Sequence, residues 1–182
     1  LSSQYLANFS VFQSAADSWA IDQVLPIVPV SRLHEKPEKL CSLVDITCDS
    51  DGKIDKFIGD GVVAKNVPLH RLIPNEDYFI GIFLTGAYQD VMGDMHNLFG
   101  RLNEVHIVSY DDDPKDFYIE EVVKGSSIEN VLSTMQYTPA IMAQVVKKEI
   151  DKQIQRGKIK PREGVNLIDF YEDCLSEYTY LK

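Results

Sequence analysis

Cys48, Asp49 and Asp51 are the residues whose types and spacing could do chemistry. They stand in Asp45-Ile46-Thr47-Cys48-Asp49-Ser50-Asp51-Gly52-Lys53-Ile54-Asp55, which reads as a strand, a tight turn and a second strand. Asp51-Gly52 supplies the turn, glycine tolerating the positive φ that such turns use. The thiol and its carboxylates are thereby held at a sheet rim, where rigid strands meet a loop. Neighbouring carboxylates favour the neutral thiol. That makes Cys48 a poor nucleophile but a serviceable proton donor. The structural alternative is a small buried hydrophobe, the common role of a free cysteine. A carboxylate here could hold an ammonium or guanidinium group, the alternative being turn chemistry. A calcium loop fails, because position twelve of the pattern is Ile58, where a bidentate Glu is required. A Cys–His hydrolase would need a nearby imidazole, and none of His34, His70, His96 or His106 adjoins Cys48 in sequence. Further on, Gly86-Ala87-Tyr88 offers close backbone approach and a phenol able to donate to a phosphate; the alternative is a strand-end turn with a core tyrosine. The run Asp111-Asp112-Asp113 reads as a solvated loop.

The whole chain bounds what these groups can serve. Its 182 residues suffice for one domain or a domain with an appendage. With 45% hydrophobic and 25% charged residues it is globular. A formal net charge of −10 disfavours a nucleic-acid partner and is compatible with cationic small molecules. No apolar run reaches the roughly 18 residues of a membrane span, so no membrane partner is expected. The first residue is Leu1, which reads as a cut inside a longer protein. Cys41, Cys48 and Cys174 are too few and too odd in number for a disulfide framework. Cys41 and Cys48, seven apart on one strand, would lie roughly 20 Å from each other. Reduced thiols in the cytoplasm are the expectation.

The elements that position the site follow from patterning. Residues 5–14 read as a strand, and 19–30, broken by Pro26 and Pro29, as an edge or crossing segment. The central hairpin has arms at 41–47 and 53–58, a turn follows at Gly59-Asp60-Gly61, and residues 78–84 are the strongest strand. Helical spacing marks 89–98, and two more strands cover 105–109 and 117–123. At Gly125 the period changes. Ser126 and Glu129 fit a capping box. Thr138-Pro139 opens a helix whose stripe is Met142, Val146, Ile150 and Ile154, reinforced by Ile141 and Val145, and Gly157 ends it. Pro161 opens a third helix with Leu167, Phe170, Tyr171, Cys174, Leu175 and Tyr178 on one face. The predicted architecture is α+β: an antiparallel β-barrel or sandwich domain over 1–124, then a small C-terminal helical bundle over 126–182.

On these residues the chain resembles the C-terminal part of the biosynthetic arginine decarboxylases, pyridoxal-phosphate enzymes of the alanine-racemase-like fold group. The stretches that carry the resemblance are Asn8–Ser14, Trp19–Gln23, Asp45–Asp55, Gly86–Gln89, His96–Gly100 and Tyr178–Leu181. The resemblance implies a β/α barrel, absent here, that carries the cofactor lysine, and an active site completed across a dimer interface. It implies that Cys48 protonates the Cα carbanion, that Asp49 binds the cationic end of the substrate and that Tyr88 contacts the cofactor phosphate. Asp22, in Trp19–Gln23, is implied as a further substrate-end carboxylate. The expected partners are L-arginine, the missing N-terminal barrel and further copies in a homodimer or tetramer. Magnesium is implied as well, without a ligand set in this chain, and so is cytoplasmic localisation. The activity implied is conversion of L-arginine to agmatine and CO2 in polyamine biosynthesis, with this portion inactive alone. Two rivals stand beside it: a non-catalytic assembly module, and part of an ornithine or lysine decarboxylase.

Overall fold

In the computed structural model, which describes residues 2–110 and 113–181, the chain opens on Ser3–Leu6 (β1), its side chains alternately half-buried and exposed. The aromatic run that follows does not stay extended. Ser10 adopts an extended backbone and its hydroxyl accepts from the Gln13 amide, capping a single helical turn, Val11–Ser14 (α1). The strand expected over 5–14 is therefore split, a serine cap overriding the strand preference of the aromatic residues. Ala16–Ala20 (α2) follows, then Ile27–Pro29 (β2), Lys39–Val44 (β3), Lys53–Ile54 (β4), Phe57–Ile58 (β5), Val63–Ala64 (β6), Val67–Leu69 (β7) and Ile80–Ile82 (β8). Gly86–Met92 (α3) starts earlier than the periodicity predicts and ends before Met95 and Leu98.

β3 is the hub of the sheet. β1 pairs with it in parallel, β4 and β7 in antiparallel fashion, while β2–β8 and β5–β6 form separate antiparallel pairs. The class is α+β as expected, but among the described residues the strands do not close into a barrel. Most are two or three residues long, and Pro29 and Pro68 remove ladder donors from β2 and β7. Among β1 to β8 only β3, with six residues, has room for three partners. Val11, Cys41, Leu43 and Leu69 are at most 1% exposed and centre a core completed by Phe9, Leu25, Ile27, Ile54 and Phe57. Burying each of the larger aliphatic side chains contributes about 1.5–3 kcal/mol.

The chain divides into two compact units between Phe99 and Gly100. The hairpin Glu104–Ser109 (β9) and Phe117–Val123 (β10) thus belongs with Ile128–Thr134 (α4), Pro139–Gln155 (α5) and Pro161–Ser176 (α6), not with the β domain ending at 124 that patterning predicts. Bonds from the C-terminal tail explain the difference. The Tyr180 hydroxyl donates to the Gly100 carbonyl at 2.7 Å, the Tyr178 hydroxyl accepts from the Asn103 amide at 3.1 Å, and Thr179 Oγ1 accepts from the Gly100 amide at 3.1 Å. Residues 100–103 are therefore tied to the C-terminal tail. The capping box forms one residue later than expected, between Ser127 and Asn130. α5 begins at Pro139 after Thr138, as read, although the Thr138 side chain makes no cap bond. Gly157, at φ +68°, follows its end. Of the α5 stripe Ile150 is buried, whereas Ile141 and Val145 are exposed. Asp111 and Asp112 of the acidic run lie outside the described residues.

Candidate active site

The site begins with a buried carboxylate. Asp45, directly after β3, is 3% exposed. One oxygen accepts from the Val11 amide at 2.8 Å; the other accepts from the Thr47 amide at 2.8 Å and the Thr47 hydroxyl at 2.7 Å. The Asp45 amide donates to the Gly52 carbonyl at 2.8 Å, so both ends of the loop meet at one residue. Gly52 is required for space, not for conformation. Its φ is not positive. A Cβ there would overlap Asp45 Oδ1 and lie 2.6 Å from Thr47 Oγ1.

Thus anchored, residues 48–51 project outward. Cys48 is exposed and sits in the loop, not on the strand arm. The Cys48 amide donates to Asn97 Oδ1 at 3.1 Å, and Asn97 Nδ2 donates to Cys48 Sγ at 3.3 Å. Asp49 Oδ1 accepts from the Asp51 amide at 2.8 Å, while Oδ2 lies 3.4 Å from His96 Nε2. The His96 ring stacks on Phe12, centroids 4.1 Å apart, and Phe12 meets Trp19 edge-on at 5.1 Å. Cys41 is a contrasting thiol. It is fully buried, and burial pushes its ionisation up despite an opposing hydrogen bond from Tyr5. The three cysteines are free.

Cys48 and Asp49 are therefore together and open to solvent, joined by His96 and Asn97. Those two residues escaped sequence reasoning as site members. The signal was present in the stretch 96–100: an Asn tolerates the left-handed backbone that a tight turn demands, and Asn97 has φ +55°. Asp22 does not join this group through any direct bond. At φ +59° it is exposed and ion-paired with Lys56 at 2.6 Å. Tyr88 is 64% exposed on α3. α3 itself is pinned by buried Gln89, whose Oε1 accepts from the Asp17 amide at 3.1 Å. A shallow pocket lined by Arg32, Ile73, Glu76, Asp77 and Tyr78 shares no residue with the loop. Among the described residues no three His, Cys, Asp or Glu side chains gather as a metal site. No helix among them is long and apolar enough to cross a membrane.

Comparison with known proteins gives a consistent result. Residues 128–181 match the family described as the arginine decarboxylase C-terminal helical extension. The whole chain is 44% identical over 182 residues to a biosynthetic arginine decarboxylase of Phocaeicola vulgatus, covering 28% of that protein. It is 47% identical over 183 residues to one of Gloeobacter violaceus, again covering 28% of the relative. The crystal structure of the biosynthetic arginine decarboxylase from Campylobacter jejuni superimposes with a TM-score of 0.82 at 33% identity, over 98% of this chain and 29% of that one. The chain thus spans just over a quarter of the length of the relatives it matches.

Proposed function

We infer that this chain, which belongs with the C-terminal portion of the biosynthetic arginine decarboxylases, forms part of an enzyme that converts L-arginine to agmatine and CO2. The observation that carries this reading is the joint exposure of Cys48 and Asp49 on a loop whose base is fixed by buried Asp45. A thiol and a carboxylate so presented can work at the two ends of one ligand. Cys48 delivers the proton that Cα needs after CO2 leaves. Asp49 takes the guanidinium, whose planar donors match a carboxylate. His96 holds Asp49 meanwhile and is displaced or shared when the guanidinium arrives.

Pyridoxal phosphate, when bound in such an enzyme, draws off the electron pair that departing CO2 leaves behind. The chain fits one edge of it. The Tyr88 phenol is exposed, and Gly86 has nothing within 4 Å of where a Cβ would stand, so backbone can approach a phosphate there. The lysine that bonds the cofactor is expected from the part of the relatives that this chain does not match. Exposed Leu84, Tyr88 and Val91, on and beside α3, supply apolar surface for that part or for a second subunit in a dimer or tetramer. Asp22 would serve the substrate end only by releasing Lys56. Magnesium has no gathered ligands among the described residues, and no step is assigned to it.

The test is Cys48→Ala in the full-length polypeptide. Agmatine formation should fall by about 10²–10⁴-fold, the usual contribution of a positioned acid. Unchanged turnover would favour an assembly module instead. Arginine, ornithine and lysine assayed side by side decide the substrate.

A further inference from the structure

We propose that Asn97 is the positioning residue for Cys48, gripping its backbone with one side-chain atom and its sulfur with the other. The orientation of the amide follows from chemistry alone. A backbone N–H can only donate, so the Asn97 atom 3.1 Å from the Cys48 nitrogen is the oxygen. The NH2 group is then the atom 3.3 Å from Sγ, and it can only donate. The sulfur lone pair is occupied on that side, so the S–H proton points away from Asn97, toward solvent and any ligand. When the proton leaves, the same N–H faces a thiolate and stabilises it. Asn97 thus sets both the aim of the donor and the fate of its conjugate base.

The backbone is built for this grip. His96-Asn97-Leu98-Phe99 is a tight turn closed by the Phe99 amide on the His96 carbonyl at 3.3 Å. Asn97, its first central residue, is left-handed at φ +55°, a conformation that favours Gly, Asn or Asp. The turn is fixed at its entry: the Asp94 amide donates to the Phe12 carbonyl at 3.0 Å, and His96 stacks on the Phe12 ring. The proposal rests on Cys48 being the functional thiol, but the grip itself is measurable without substrate.

Two variants of the full-length polypeptide test it. Asn97→Asp keeps the left-handed backbone and the acceptor for the Cys48 amide but cannot donate to sulfur. Asn97→Gly keeps the backbone and loses both bonds. The probe is iodoacetamide, with alkylation of the Cys48 peptide followed by mass spectrometry and Cys174 as internal reference. In both variants Cys48 should alkylate at least about threefold more slowly than in the parent at pH 7, the gap closing at pH 10 where thiols are ionised. A merely structural role would shift the rates alike at every pH. In turnover, kcat should fall in both variants while KM for arginine stays within about twofold, because Asp49 is held by other groups. Alkylation at the parent's rate in both variants overturns the proposal. Slowed alkylation with normal agmatine formation, together with an active Cys48→Ala, would leave the grip standing and overturn the decarboxylase role of Cys48.

Discussion

Asp45→Asn is the sharpest test of how the candidate site is held. The substitution keeps shape and volume and removes one acceptor. The three bonds to Asp45 come from two directions, Val11 on one oxygen and Thr47 on the other. An asparagine oxygen can satisfy only one direction. If it faces Thr47, its NH2 confronts the Val11 amide at 2.8 Å, donor against donor, at a residue with no exposed surface. If it faces Val11, the Thr47 amide loses its partner, and only the Thr47 hydroxyl can rotate to accept. Either way one backbone N–H is left without a partner, at about 1–3 kcal/mol, and the remaining bonds lose charge assistance worth about 1 kcal/mol. The expected loss is therefore about 2–4 kcal/mol. Trp19 is the single tryptophan of these 182 residues and lies in the same unit, so urea unfolding of this chain followed by its fluorescence reports the event. Asp55→Asn, at an exposed carboxylate 3.5 Å from Lys53, is the control and should change stability by less than about 0.5 kcal/mol. An Asp45→Asn protein within about 1 kcal/mol of the parent would refute the idea that this carboxylate organises the loop.

Two further outcomes follow from the same geometry. Gly52→Ala should destabilise by about 1–3 kcal/mol in the same unfolding experiment, since its Cβ would crowd Thr47 Oγ1 at 2.6 Å and the Asp45 carboxyl carbon at 2.8 Å; a neutral result would mean that the loop yields freely. Burial raises the ionisation of Cys41 above its ordinary 9.0, and burial raises that of Tyr5 above 10.0. In the unfolded chain both groups lose their protons at lower pH than in the folded one. Their contribution to stability is therefore complete below about pH 9 and is lost as pH rises through the folded values. Urea midpoints should fall between pH 8 and pH 10.5, less steeply in Cys41→Ala, and a flat profile would refute the assignment.

Much of the helical part was legible because its signals are local. Thr138-Pro139 and Gly157 mark the ends of α5 where patterning places them. That the described strands do not close into a barrel was not legible, because strand patterning carries no information on which strands pair or how far. Residues 105–109 and 117–123 read as strands and are strands, yet their allegiance is set by Tyr178, Thr179 and Tyr180 reaching back to residues 100–103, some 75–80 positions away. The capping box at 127 and 130 was displaced by one residue, because Ser126 and Ser127 are equally suited and the Ser126 hydroxyl instead accepts from the Arg101 amide at 3.0 Å.

The candidate site divides in the same way. Chemistry-bearing side chains announce themselves by type, so Cys48 and Asp49 could be singled out in a run of eleven residues. The groups that aim them have no such mark. Asp45 reads as one more polar residue at a strand end, Gly52 as a turn glycine chosen for φ, and Asn97 as a loop residue. Asp45 and Asn97 act through distances that only the fold creates: 34 residues separate Asp45 from Val11, and 49 separate Cys48 from Asn97. Reactive groups on a surface loop need such remote anchors, since the loop's own backbone provides too few bonds to fix a thiol. A sequence therefore shows what a site can do sooner than it shows what holds the site in place.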